Sequence, residues 1–262
     1  MVIFSIDLVL LIPALMISAT PVLLAAVGEA VVEKSGVLNL GVEGMMITGA
    51  VIGFIIAVNT QIPIYGFICA AIAGALLSVL FAILTQYLMS NQVATGLGLT
   101  MVGLGLSALI GKPYEGIKSP TLTKLDIPIL SEIPILGPMI FSHDIIVYFS
   151  ILVVATVAFV IKKTRVGLIL RAVGENQEAA HALGYKVIRI RFLAIMFGGA
   201  AAGIGGAYIS LARVPQWTEG MTAGAGWIAL ALVVFASWKP CAFLWALIFL
   251  AVLPFCSSIY RQ

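Results

Sequence analysis

Charge is what this sequence has least of. Its 262 residues carry 14 Lys and Arg against 11 Asp and Glu, 10% in all, where soluble domains carry about 25%. The net charge of +3 is not gathered into a basic stripe interleaved with aromatics, which argues against nucleic acid as a partner. Histidine is nearly absent, with only His143 and His181. No nucleophile–base constellation can be drawn from them, and an intramembrane enzyme is left without candidate groups. Cys69, Cys241 and Cys256 are far apart in apolar surroundings. They offer neither metal nor disulfide spacing and read as small buried hydrophobes. No Walker A motif exists: its nearest approach, Gly105 to Lys112, has the wrong spacing and runs into Pro113. No Arg-rich span suggests voltage sensing, and no chain of carboxylates suggests a proton pump. The sequence thus carries no visible energy source of its own. The N-terminus lacks a basic n-region, so its first apolar run reads as a retained span rather than a signal peptide.

What fills the chain instead is apolar surface, at 62% hydrophobic residues and a mean hydropathy of +1.17. A soluble core of this length cannot bury so much. Lipid can cover it, provided every backbone polar group is paired internally, which leaves helices or closed barrels. The apolar runs are continuous and about twenty residues long, whereas barrel strands alternate over about ten. The expectation is an all-α, polytopic transmembrane helical bundle of about eight spans. They are placed near 7–28, 42–59, 64–88, 92–111, 144–161, 192–213, 220–237 and 241–260. No internal repeat interrupts them, so residues 1–262 read as a single transmembrane domain.

Orientation follows from the loops. Segment 162–191 holds Lys162, Lys163, Arg165, Arg171, Lys186, Arg189 and Arg191 against Glu175 and Glu178. The positive-inside rule places it in the cytoplasm. The proline-rich 112–143 loop, one span away, then lies outside, as does the N-terminus. Gly49 with Gly53, and Gly199 with Gly203, form small-xxx-small pairs that allow close helix approach. Pro13 and Pro21 predict a kinked first span. Gly96, Gly98, Gly103 and Gly105 loosen the fourth, either for packing or to bend a helix along a transport path.

Three segments carry polar chemistry. Between the first two spans, Gly36, Gly41 and Gly44 break helical continuity around Asn39 and Glu43. This is either a polar turn at the membrane surface or part of a translocation path or its gate. Around the fourth span lie Asn91, Gln92, Thr95, Thr100 and Ser107. Neutral polar groups there bond across helices or line a cavity, and such a path suits an uncharged polar solute. In the cytoplasmic segment, residues 174–184 read GENQEAAHALG. Asn176 is an N-cap, Glu178 complements the helix dipole and Gly184 terminates the turn. The result is a helix of about two turns, marginal alone in water, which something must hold.

The motifs EKSGVLNLGVEGMM (33–46), NQVATGLGLTMVGLGLSALIGKPYEG (91–116) and RAVGENQEAAHALGYKVIRIRFLAIMFGGAAAGIGGAYISL (171–211) resemble permease subunits of bacterial ABC importers for simple sugars and nucleosides. This group belongs with the ribose and branched-chain amino acid permeases. The likeness spans about residues 10–240 and is nearest the purine-nucleoside, guanosine-type permeases. It implies that helix 176–183 is a coupling helix docking on an ABC ATPase subunit. Gly174, Glu175, Asn176, Ala179, Ala180 and Gly184 would contact that ATPase or shape the contact. Asn39, Glu43, Asn91, Gln92, Thr95 and Thr100 are the candidate translocation path or gate. The resemblance also implies a bacterial inner-membrane location, an extracytoplasmic substrate-binding protein and a second, different permease chain. No cofactor is expected on this chain, since ATP and Mg belong to the ATPase. After Trp238, Lys239 and Pro240 the family usually continues in a Gly-rich span. The tail 241–262 has no glycine and departs from that pattern. The other functions weighed are a passive channel for a small polar solute and a branched-chain amino acid permease.

Overall fold

The structure is a computed structural model that describes residues 8–120, 122, 124–126 and 142–236. Helix α1 (Leu8–Lys34) is followed by α2 (Val42–Thr60) and α3 (Pro63–Ala82), which ends in a π-helical turn, Ile83–Tyr87. Next come α4 (Gln92–Gly111), with a 3₁₀ turn at Lys112–Tyr114, and a short hairpin of β1 (Lys124–Asp126) with β2 (Ser142–Asp144). The hairpin is antiparallel, with Lys124 opposite Asp144. The remaining elements are α5 (Ile145–Lys163), α6 (Arg165–Glu175), α7 (Gln177–Ala182), α8 (Val187–Tyr208) with a second π turn at Ile209–Arg213, and α9 (Ala225–Phe235).

Among the described residues, 6 helices are long and apolar enough to cross a membrane. They are Ile12–Lys34, Val42–Thr60, Pro63–Tyr87, Gln92–Tyr114, Ile145–Lys163 and Val187–Arg213. These match the first six expected spans. The seventh, 220–237, holds only the 11-residue α9, which at 1.5 Å per residue extends about 16 Å, half of a ~30 Å hydrocarbon core. The eighth, 241–260, lies outside the described residues, as do Cys241 and Cys256. Pro13 and Pro21 lie within α1, which continues past both to Lys34.

Helix α8 is the hub and packs on α1, α2 and α3. The small-residue pairs explain how. A methyl group on Gly49 would run into the Gly203 backbone, one on Gly203 into the Ala70 carbonyl, and one on Gly206 into the Met46 carbonyl. Gly74 and Gly199 face each other in the same way. With no Cβ between them, the backbones approach closely and dispersion holds them. Helix α4 packs by one face only. Its Gly96 lies against Leu40 and Gly41, and its Gly103 against Gly44, whereas Gly98 and Gly105 have nothing within 4 Å of a built Cβ.

Long-range bonds sort the bundle into two ends. At one, Leu38 N–H donates to Gln92 Oε1 and Arg191 Nε to the Ser35 carbonyl. At the other, Asn59 Nδ2 donates to the Tyr114 hydroxyl, and bridges join Glu115 to Trp217 and Lys118 to Gln216. Consecutive spans therefore alternate in direction.

Candidate functional site: a buried seam and a capped helix

After α1 ends at Lys34, the chain turns at Gly36 (φ 82°) and runs along α4 before α2 begins. Asn39 organises this stretch. Its Oδ1 accepts from Gly41 N–H at 3.0 Å, and its own N–H donates to Glu29 Oε1 at 3.2 Å. Thr100 Oγ1 donates to the Leu40 carbonyl at 3.2 Å and shares its proton with the Gly96 carbonyl at 3.2 Å. Gly44 meets the Leu99 and Thr100 backbone at 2.7 Å from a built Cβ. Thr100 lies eight residues beyond Gln92, so this junction sits about 12 Å along α4. The stretch runs against α4, with Asn39 and Glu43 buried within the bundle.

Glu43, in the first turn of α2 and 3% exposed, carries the densest bonding there. Its Oε1 accepts from the Thr222 hydroxyl at 2.5 Å and from Gly224 N–H at 2.9 Å; its Oε2 accepts from Gly226 N–H at 2.6 Å. The two amides are among the free donors at the start of α9, which any helix N-terminus leaves without internal partners. A carboxylate there gains charge-assisted bonds and a favourable dipole. Positive φ at Ala223 (45°) and Gly224 (83°) turns the backbone so that both amides face Glu43. Gly226 allows the approach, since a Cβ there would lie 2.7 Å from the Glu43 backbone. Thr222, Gly224 and Gly226 were not picked out in the sequence. They lie about 180 residues from Glu43, and the one local cue is the Gly-rich run before α9.

Asn39, Glu43 and Thr100 thus come together, all buried. Asn91, Gln92 and Thr95 do not join them. Asn91 caps α4, accepting from Val93 and Ala94 N–H at 2.9 and 3.1 Å. The Thr95 hydroxyl bonds that of Ser90 at 2.8 Å. Gln92 borders a separate cavity of about 630 Å³ shared with Thr85, Gln86, Gln177 and Arg191.

That cavity opens beside α7. Asn176 Oδ1 accepts from Ala179 N–H at 2.9 Å, making it the N-cap of α7. Gly184 adopts φ 86°, and its N–H donates to the His181 carbonyl at 2.9 Å. Start, stop and length of this helix fall where the spacing predicts. Glu175, Asn176, Ala179 and Gly184 are exposed. Ala180 turns inward, 2% exposed, in a small cluster with Val173 and Val187. Gly174 packs against the Lys34 carbonyl, where a side chain would collide. Arg191, absent from the sequence-derived set, ties the parts together. Its Nη1 donates to Gln177 Oε1 at 2.9 Å on α7, and its Nε to the Ser35 carbonyl at 3.0 Å on the loop leading to Asn39. Among the described residues no group of three His, Cys, Asp or Glu is placed to hold a metal.

Comparison with known proteins gives a consistent result. Residues 11–255 match the family described as branched-chain amino acid transport system, permease component. A putative glucose ABC transporter permease of Haloferax volcanii is 40% identical over 227 residues, 85% of this chain and 69% of the relative. A guanosine ABC transporter permease of Bacillus subtilis is 34% identical over 255 residues, 92% of this chain and 79% of the relative. A nucleoside ABC transporter permease of Lactococcus lactis is 30% identical over 237 residues, covering 86% and 75% respectively. No solved structure matches. The glycine-packed helical bundle, the capped helix α7 and the extent of these matches lead to one conclusion: the chain belongs to the family of branched-chain amino acid transport system permease components.

Proposed function

We propose that this chain forms the translocation path of an ATP-driven importer for a nucleoside or a simple sugar, with α7 as the contact that receives the ATPase stroke. The chain is a multi-pass permease subunit of an ABC importer and not itself an enzyme. Its family implies an ATPase and a substrate-binding protein as partners. The observation that supports the coupling role is Arg191, which bonds both Gln177 of α7 and the Ser35 carbonyl, four residues before Asn39 on the loop that leads into the seam. A displacement of α7 by a partner would pull on the loop that holds the intramembrane junction, a two-state element biased by a ligand on another chain. In this reading Asn39, Glu43 and Thr100 form the gate, while Asn91, Gln92 and Thr95 hold its cytoplasmic mouth. Glu175, Asn176, Ala179 and Gly184 face the ATPase; Gly174 and Ala180 seat the helix. ATP and Mg stay on the ATPase, a second and different permease chain completes the pathway, and segment 162–191 faces the cytoplasm with the N-terminus outside. The substrate class follows from relatives named for glucose, guanosine and nucleosides.

The test is uptake into proteoliposomes holding the chain with its ATPase, second permease and binding protein. Gly184→Leu forces a side chain onto a positive-φ turn and is expected to abolish ATP-dependent uptake while the assembly still forms. Undiminished flux in that variant, or uptake by this chain alone, would instead mark a passive facilitator. Binding of guanosine or glucose to the partner binding protein then names the solute.

A further inference from the structure

Beside the coupling segment lies a second concavity, unlike the polar one at Gln92. It is a groove of about 470 Å³ whose walls are almost wholly apolar. Val157 and Val160 of α5, Leu170 of α6, Tyr185, and Leu193 and Phe197 of α8 line it. An aqueous ligand finds almost no hydrogen-bonding group there. The volume suits one acyl chain, whereas a helix, about 10–12 Å across with its side chains, needs more room.

The rim of the groove is basic. Lys163 stands one turn beyond Val160, Arg165 one turn before Ile169, and Lys186 four residues before Ile190. Ile169 and Ile190 also line the groove, and residues three or four apart share a helix face. All three cations are exposed. Helix α6 between them has the habit of an interfacial helix: Gly167, Leu170 and Val173 are buried, yet Val166 and Leu168 are more than 60% exposed. Apolar side chains left exposed beside a row of cations belong at a lipid headgroup boundary. Basic pockets at the cytoplasmic ends of spans attract anionic headgroups.

We infer that this groove binds an anionic phospholipid of the cytoplasmic leaflet, its acyl chain between α5, α6 and α8 and its headgroup among Lys163, Arg165 and Lys186. The lipid bridges a membrane span and the helix that leads directly into α7, so it steadies the coupling segment against the bundle. The site is independent of the transported solute; it rests on the functional proposal only for the leaflet assigned to it.

The test is direct lipid retention, read by native mass spectrometry of the full chain drawn from phosphatidylcholine vesicles containing a minority of phosphatidylglycerol. The unmodified protein should retain phosphatidylglycerol in preference to phosphatidylcholine. Lys163→Gln, Arg165→Gln and Lys186→Gln together should lower that retention at least about tenfold. These are exposed sites, so folding is not at stake. Val160→Trp, which fills the groove and leaves the charges, should lower retention as well. Arg213→Gln, beyond the far end of α8, should change nothing. Equal retention of the two lipids, or a triple variant that keeps its phosphatidylglycerol, overturns the proposal. So does loss of the bound lipid when the second permease chain is added, which would make the groove a subunit seam. Because no transport is measured, a failed transport assay leaves this result unaffected.

Discussion

The seam at Glu43 and the short helix α7 are both built on helix capping, yet they differ in what backs the cap. At Glu43 a carboxylate within the bundle meets three donors at the start of α9, and the surrounding helices bury the arrangement. At α7 an exposed Asn176 holds one N–H of a 6-residue helix. In the first case the bonds are buried, so each one is expensive to break. In the second, water competes for every donor, and the helix exists because Ala180 packs inward and Arg191 ties down Gln177. The comparison teaches that the junction is stiff and α7 is held more weakly, which is what its proposed role requires.

The sharpest way to break the contrast is at Glu43. Glu43→Leu keeps the bulk but strands the Thr222 hydroxyl and two amides, and should cost about 3–5 kcal/mol. Thermal unfolding in detergent should shift downward by many degrees and uptake should be lost. Glu43→Gln, which still offers one acceptor oxygen, should recover part of both. A Leu variant as stable as the parent would remove Glu43 from its anchoring role.

Asn176→Ala should act at the other pole. The cap is worth about 1 kcal/mol, all of it local to α7. Global unfolding is expected to stay put while ATP-coupled uptake falls several-fold. Equal losses of stability and uptake would show that α7 is part of the rigid body after all.

The smallest effect is expected on the open face of α4. Gly98→Ala and Gly105→Ala meet nothing within 4 Å and favour the helix by up to about 1 kcal/mol each. Unfolding temperature and uptake should hold or rise slightly. Gly96→Ala and Gly103→Ala, on the packed face, should lower both, because a Cβ at Gly103 would lie 2.6 Å from the Gly44 carbonyl. Similar behaviour of all four variants would mean that both faces of α4 are covered in the assembled transporter.

These four glycines also show where the sequence stops being legible. They are alike in the chain, spaced through one apolar run. Only packing divides them into two that admit a neighbouring backbone and two that do not. The small-xxx-small pairs of α2 and α8 were readable because their spacing is itself the signal. The cap and stop of α7 were readable for the same reason: Asn176, Glu178 and Gly184 act on their own backbone neighbours. Arg191 was not, since its partners Gln177 and Ser35 lie 14 and 156 residues away and it looked like one more basic residue in the orientation count.

By itself, then, the sequence determined the solvent and the period: a chain this apolar must pair its backbone in helices, and local rules set where most of them begin and end. Only the tertiary structure decided which polar residues meet. Glu43 and Thr100 lie on different helices, and Thr222 precedes a third. Hydrogen bonds a few ångströms long, closed across as many as 183 residues, depend on how the helices cross, and no local pattern encodes that.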